Sequence, residues 1–328
     1  MKILTTLLAS ALALVLCTGL AQAAETLHDT WQKNVAGKRI VYFPVSFAQG
    51  LPHIWGVEMK KEAEALGIKF EIRDPDFNPQ REEQMIAAMI PQKPDVMIVH
   101  NPNVQVLANV LKKAQEAGIY VIQVNMASRT RTDAYVGIYP EDDGIKMAQS
   151  AVDACSGPDA RSHKVALMIG EPTSAYTMGI LKGAMSVFDQ HKDIKIVSRQ
   201  AANWDPKTAH DKADTVLQAN PDLCAYIGWW VGQDVGIAQA VKRAGLQGKV
   251  KVITTGGGEP PACEYLKQGL FYEAFNYNAL LQAHEMMAIA KFLLQSGQPA
   301  GTFHATIYTP VVGVTKDTVT PASCAHVK

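Results

Sequence analysis

Four of the five tryptophans fall in a set of nearly uncharged segments that mix aromatic rings with amides and hydroxyls. These segments are Ser46-Phe47-Ala48-Gln49-Gly50-Leu51-Pro52-His53-Ile54-Trp55, His100-Asn101-Pro102-Asn103, Asn125-Met126 and Thr173-Ser174-Ala175-Tyr176-Thr177-Met178. Further along come Asn203-Trp204-Asp205, Trp229-Trp230, Gly256-Gly257-Gly258-Glu259 and Phe275-Asn276-Tyr277. Ring faces stack on the C–H faces of a neutral solute while amides and hydroxyls fix its polar groups, which suits a sugar, a polyol or a small aromatic. A lone tryptophan is ordinarily a core residue, and Trp55 or Trp229 taken singly reads that way. Recurrence across several segments reads as a pocket, with one of Trp229-Trp230 turned inward and the other packed. His53 and His100 fit either a ligand contact or a hydrogen bond within loop or core. The Gly256–Gly258 run fits either close backbone approach to a ligand or a tight turn.

Catalytic chemistry has no comparable footprint. The sequence contains no G-x-S-x-G, no H-E-x-x-H, no phosphate loop ending in G-K-[ST] and no G-x-G-x-x-G after the first strand. Asp74, Asp76, Glu171, Asp205 and Glu259 are scattered carboxylates better explained by caps, turns and solvated faces than by a catalytic pair. No enzyme activity, metal or cofactor is expected.

The 328 residues carry 31 Lys+Arg against 31 Asp+Glu, with 48% hydrophobic and 19% charged residues, which is globular composition and excludes collagen, coiled coil and disorder. A net charge of zero supplies no basic footprint, so neither nucleic acid nor an anionic membrane surface is an expected partner. The first 23 residues read as a secretory signal peptide: Met1-Lys2, an uncharged run from Ile3 to Leu20, then Ala21-Gln22-Ala23. The small residues favour cleavage after Ala23 over an uncleaved anchor, and bulky Leu16 disfavours a lipid anchor on Cys17. A periplasmic location is expected. Removing Cys17 leaves Cys155, Cys224, Cys263 and Cys324, which in an oxidising compartment allow three disulfide pairings. Their spacing fits no zinc pattern.

The elements that must position these loops alternate. Short apolar runs at Arg39–Val45, Ile68–Arg73, Asp95–His100 and Tyr120–Asn125 predict strands, with helices predicted at Trp55–Leu66, Glu82–Ile90 and Val104–Ala117. Asn78 can cap the second helix, with Pro79 at its first position. The pattern restarts with strands at Lys164–Ile169, Lys195–Arg199, Ala225–Trp229 and Lys251–Thr255 and helices at Met178–Gln190, Lys207–Gln218 and Gln233–Ala244. The fold class is therefore α/β, with two doubly wound parallel-sheet lobes. The chain should cross between lobes near Asn125–Tyr139, return to the first lobe for a long helix at Leu280–Gln295, and end in the second after an apolar strand at Thr306–Val314. The expected lobes are residues 24–126 plus about 278–308, and 127–277 plus about 309–328, with a multi-crossing hinge and a cleft between them. In open α/β sheets ligands bind beyond the carboxyl ends of the strands, where the segments listed first would lie.

From about Arg39 to Val314 the chain resembles the type I periplasmic substrate-binding proteins of the ribose-binding class. The resemblance rests on Pro52-His53-Ile54-Trp55, Asn78-Pro79, Asn101-Pro102, Ala117-Gly118-Ile119-Tyr120-Val121-Ile122, Gly144, Gly183 and the Gly236–Gly245 helix, in that order. It implies two lobes closing on one solute, delivered to an ABC permease with its ATPase by a monomeric receptor, with a chemoreceptor or sensor kinase as an alternative partner. It would place ligand contacts at Ser46, Gln49, His53, Trp55, Asn125, Met126, Met178, Trp204, Trp229, Trp230, Gly257, Asn276 and Tyr277. Sugar-binding members often carry an Asp-Arg pair, an early helix Arg, an Asn-Asp and a hinge Asp where this chain has Asn125-Met126, Met178, Trp229-Trp230 and Gly257. Losing those carboxylates and guanidiniums removes bidentate clamps on hydroxyls and favours a less polar solute. The expected disulfides are Cys155–Cys224 and Cys263–Cys324, both within the second lobe.

Overall fold

A computed structural model of the chain describes residues 28–48, 50–158 and 160–325. The expected signal peptide and Gln49 lie outside these residues. The strands are β1 (Arg39–Phe43), β2 (Lys69–Ile72), β3 (Val96–Val99), β4 (Tyr120–Val124), β5 (Ala134–Gly137) and β6 (Lys164–Ile169). They continue with β7 (Lys195–Ala201), β8 (Ala225–Gly228), β9 (Lys251–Gly256), β10 (Glu273–Asn276), β11 (Ala305–Tyr308) and β12 (Val312–Thr315).

Among the described residues they form two six-stranded sheets, ordered β11-β5-β4-β3-β1-β2 and β12-β10-β9-β8-β6-β7. All neighbours pair parallel except β12, which runs antiparallel to β10. Two doubly wound lobes are thus present, as the alternating pattern predicts. Central strands such as β3 and β8 are buried on both faces, which is why they read as unbroken apolar runs rather than alternation.

Helix boundaries follow local chemistry. Asn78, Ser174, Asp205 and Asn278 each cap a helix by accepting from the backbone N–H three residues on. Helices also pack backbone to backbone at glycines: a Cβ on Gly144 would collide with the Ile180 carbonyl, one on Gly183 with that of Glu141, and one on Gly236 with that of Pro206. The first two seat helix Pro140–Cys155 against helix Ala175–Phe188.

Three details differ from the sequence reading. Strand β5 belongs to the first sheet, so the chain leaves that sheet after Gly137, at the far end of the expected Asn125–Tyr139 stretch and past the lobe boundary drawn at Met126. β5 has only four residues behind a polar turn, too little periodicity to register. The single strand expected at Thr306–Val314 is two, β11 and β12, one per sheet, because Thr309-Pro310-Val311 carries the chain across between the lobes and proline cannot donate to a ladder. Helix Pro260–Lys267 follows the glycine run directly and was hidden by it.

The crossings lie after β5, after β10 and between β11 and β12. Helix Ala279–Ser296 returns to pack on helix Leu51–Ala65, β4 and β5, as expected for a first-lobe element. The crossings are tied to one another: the Gln282 amide donates to Asn125 Oδ1 and to Thr309 Oγ1, both at 3.0 Å, and Thr309 N–H donates to Gly137 O at 2.7 Å. Disulfides join Cys155 to Cys224 and Cys263 to Cys324, the expected pairing, with Cα separations of 5.9 and 6.0 Å.

Candidate solute-binding cleft

Each sheet has a reversal in strand order, between β1 and β3 in the first and between β6 and β8 in the second. Loops leaving adjacent strands on opposite sides of such a point diverge and leave a crevice at the carboxyl edge. Here the two crevices face each other. The enclosed cavity between them is lined by Val45, Ser46, Leu51 and Pro52 after β1, Phe77 after β2, His100 after β3, and Asn125 and Met126 after β4. From the other side it is lined by Tyr176, Trp204 and Trp230, and at the hinge by Tyr277. No Asp, Glu, Lys or Arg is among them.

The lobes touch around this space. Gly50 lies where a Cβ would sit 3.0 Å from the Trp230 ring, and Gly257 where one would sit 2.5 Å from Leu51 Cδ1. Val104 N–H donates to Thr173 O across the lobes at 3.3 Å. The cavity measures about 50 Å³, and one water needs roughly 10–15 Å³ on this measure, so it holds a single small solute and not an oligomer. Outside it, sharing Ser46, Phe77, Trp204 and Trp230 as walls, opens a vestibule of about 900 Å³ that also touches His53, Asp205 and Glu259.

The second-lobe aromatics are held individually. Trp204 and Asn203 both have left-handed backbones, φ +68° and +52°, a conformation that costs free energy in non-glycine residues and points to a position fixed by its surroundings. Trp204 N–H donates to Gln233 Oε1 at 3.0 Å, and its ring lies flat on Gly170, where a Cβ would overlap it. Trp230 Nε1 donates to Glu259 Oε1 at 2.8 Å, and its ring covers Gly232 in the same manner. Tyr176 meets Trp204 edge to face at 6.1 Å, and Trp204 meets Trp230 at 6.5 Å.

Two buried polar groups beside the cavity lack a hydrogen bond of ordinary geometry: His100 Nδ1, on a residue 6% exposed, and the hydroxyl of Tyr176, 4% exposed, which has the Thr255 and Tyr277 hydroxyls as neighbours. Leaving such groups unpaired costs about 1–3 kcal/mol each unless water or a ligand satisfies them. Burial pushes the His100 imidazole down to about 3, so it is neutral at any ordinary pH. Carboxyls also lie deep within the second lobe. Burial raises Asp143 to about 7 and Asp234 to about 8, opposed by hydrogen bonds from Thr255 and Thr254 respectively, and it raises Glu259 as well.

Of the residues predicted as contacts, Ser46, Asn125, Met126, Trp204, Trp230 and Tyr277 line the cavity, and His53 lines the vestibule, its Nδ1 bonded to Phe47 O at 3.2 Å. The others lie elsewhere. Trp55 and Trp229 are fully buried in the main hydrophobic core, Trp55 edge-on to His100 at 5.1 Å. Met178 is 45% exposed on its helix and lines neither space. Asn276 donates to Ser323 O at 2.8 Å and so holds the C-terminal segment. Gly257 touches Leu51 and Ala279 beside the cavity. Tyr176, two residues before Met178, is the member of that loop the cavity uses, and Phe77, at φ +55°, closes it from the first lobe. Tyr176 had a signal in its capping Ser174, which puts it in the first helical turn; Phe77 had none beyond being an apolar residue just before the Asn78 cap.

A family model described as "Periplasmic binding protein domain" matches residues 40–299. The chain belongs to this family. The D-allose-binding periplasmic protein of Escherichia coli K12 is 29% identical over 212 residues, covering 61% of this chain and 68% of that protein. The D-xylose-binding periplasmic protein of the same organism is 30% identical over 198 residues, covering 58% of each. The chain thus aligns with roughly three-fifths to two-thirds of these relatives' lengths. The Caulobacter myo-inositol binding protein bound to myo-inositol superposes with a TM-score of 0.76 at 24% identity, covering 85% of this chain and 91% of that one. These relatives are binding proteins, and in type I periplasmic binding proteins the two-lobed architecture is the working part: lobes that close on a solute convert its binding into a change of shape.

Proposed function

We propose that the protein is a receptor that closes on one small neutral solute in the periplasm and hands it to an ABC permease with its ATPase, without chemical change to the solute. The observation that carries the reading is the convergence of loops following eight of the twelve strands, four in each sheet, on one cavity free of ionic side chains. Ser46, Asn125, Met126, Tyr176, Trp204, Trp230 and Tyr277 form the site, and the crossings after β5, after β10 and between β11 and β12 are the hinge. The relatives' names support the receptor role, and the reading of residues 1–23 as a signal peptide supports the location.

A thermal-shift screen of solute-stripped protein tests this. A solute at 100 times its dissociation constant stabilises the protein by about 2.7 kcal/mol, a shift of several degrees. Trp204→Ala is expected to weaken binding by at least tenfold while leaving the apo melting temperature nearly unchanged. Turnover of the bound solute, or an unchanged affinity in Trp204→Ala, would overturn the assignment.

A further inference from the structure

The walls of the cavity discriminate among neutral solutes. Aromatic rings from both lobes and the hinge (Phe77, Tyr176, Trp204, Trp230 and Tyr277) meet there with Val45, Leu51, Pro52 and Met126. The polar capacity is small and mostly spoken for. Asn125 Oδ1 accepts from Gln282, Ser46 Oγ accepts from the Ala48 N–H at 3.5 Å, and Trp230 Nε1 donates to Glu259. What remains without a hydrogen bond of ordinary geometry in the buried wall is His100 Nδ1 and the Tyr176 hydroxyl, the latter beside the Thr255 and Tyr277 hydroxyls. A polyhydroxylated ring placed here would leave most of its hydroxyls without partners, each costing the desolvation of a buried polar group. A ring with apolar faces loses nothing by entering.

Resting on the receptor reading above, we infer that the solute is a single compact ring with apolar faces and one or two hydroxyl or carbonyl groups, a phenol or aromatic alcohol, rather than a pyranose. The rings of Trp204 and Trp230 stand nearly perpendicular, at 77°, and so offer one flat face and one edge, the two surfaces an aromatic ring packs against most favourably. The cavity has room for roughly three to five waters, less than the roughly 150 Å³ of a cavity that takes benzene, so a monocyclic solute occupies it only by parting the shared walls Phe77, Trp204 and Trp230 toward the vestibule. His100, neutral and without a partner at Nδ1, and Tyr176 supply hydrogen bonds that match one oxygen-bearing substituent or two. The same aromatic box has the composition of a quaternary-ammonium site; the walls hold no carboxylate to complete it.

The test is a titration of solute-stripped protein, followed by tryptophan fluorescence and melting temperature, with phenol, benzyl alcohol, toluene, D-allose, D-xylose, myo-inositol and choline. Phenol or benzyl alcohol is expected to bind at least tenfold more tightly than any of the sugars or inositol. Tyr176→Phe keeps the ring and removes only the hydroxyl. It is expected to weaken the hydroxylated ring by about fivefold to tenfold, the worth of one hydrogen bond, and to leave toluene unchanged. Tightest binding of a sugar, inositol or choline would overturn the inference and leave the receptor reading standing. Equal effects of Tyr176→Phe on phenol and toluene would also overturn it. Silence across every class, with no contraction in solution scattering, would overturn the receptor reading itself.

Discussion

Asp143 shows what one buried proton does. Its Oδ2 lies 2.8 Å from Thr255 Oγ1, and that same hydroxyl lies 3.0 Å from Phe275 O. A threonine has one proton to give, so if it serves the carbonyl, Asp143 must donate, consistent with its carboxyl being raised to about 7. A carboxyl raised on folding binds its proton more tightly in the native state than in the unfolded chain. Its contribution is full below the unfolded value near 4 and is lost as pH rises to about 7, at a slope of order 1 kcal/mol per pH unit. Asp143→Asn, which can donate to Thr255 at any pH, should match the wild type near pH 4 to 5 and exceed it at pH 8; thermal melts at both values check this. Gly170 offers a second residue-scale prediction. Gly170→Ala places a methyl where the Trp204 ring lies, so it should displace that ring and weaken solute binding tenfold or more, read by titration, with secondary structure by circular dichroism unchanged. Residue roles were only half legible in the sequence. Trp204 could be named because it stands alone after a strand, whereas Trp229 and Trp230 could be named only as a pair with one ring inward, and Trp55 carries the same local signature and is buried. Which way a ring turns is decided by the neighbouring sheet and helices, and no local spacing encodes that.

Among elements, the helix pair Pro140–Cys155 and Ala175–Phe188 depends most on single atoms. The two helices approach until Gly144 faces the Ile180 carbonyl and Gly183 the Glu141 carbonyl, so a methyl at either position meets backbone that cannot move aside alone. Gly183→Ala should destabilise the protein by about 1–3 kcal/mol, measured as a lower urea midpoint. Gly157→Ala, where no atom lies within 4 Å of a Cβ, should cost far less. The strands and most helices were legible because buried parallel strands are continuous apolar runs and caps such as Asn78-Pro79 and Asp205-Pro206 mark starts. β5 was not, since it has four residues and is made a strand by pairing with β4 and β11 in the first sheet, and β11 was legible only as the front of one longer strand.

For the whole molecule, both disulfides lie in the second lobe, closing spans of 69 and 61 residues. Chain-entropy reasoning assigns each a few kcal/mol, about 2–5 on removal. Reduction should therefore lower the urea midpoint of the second lobe, followed through Trp204, Trp229 and Trp230, before that of the first, where Trp55 is buried. Solution scattering should show contraction on adding solute, since three crossings of the chain form the hinge on which the lobes close. The two-lobe plan could be read from the repeated βα pattern, but the first crossing only to within Asn125–Tyr139, because its place in that stretch rests on which sheet claims β5. The last crossing has a consequence in time. β11 pairs only with β5, and β12 pairs only with β10, so each sheet receives an outer strand from the final stretch of chain. A polypeptide that emerges from its N terminus can therefore complete neither sheet until residues 305–315 have been made, so the two lobes reach their full strand complement almost together.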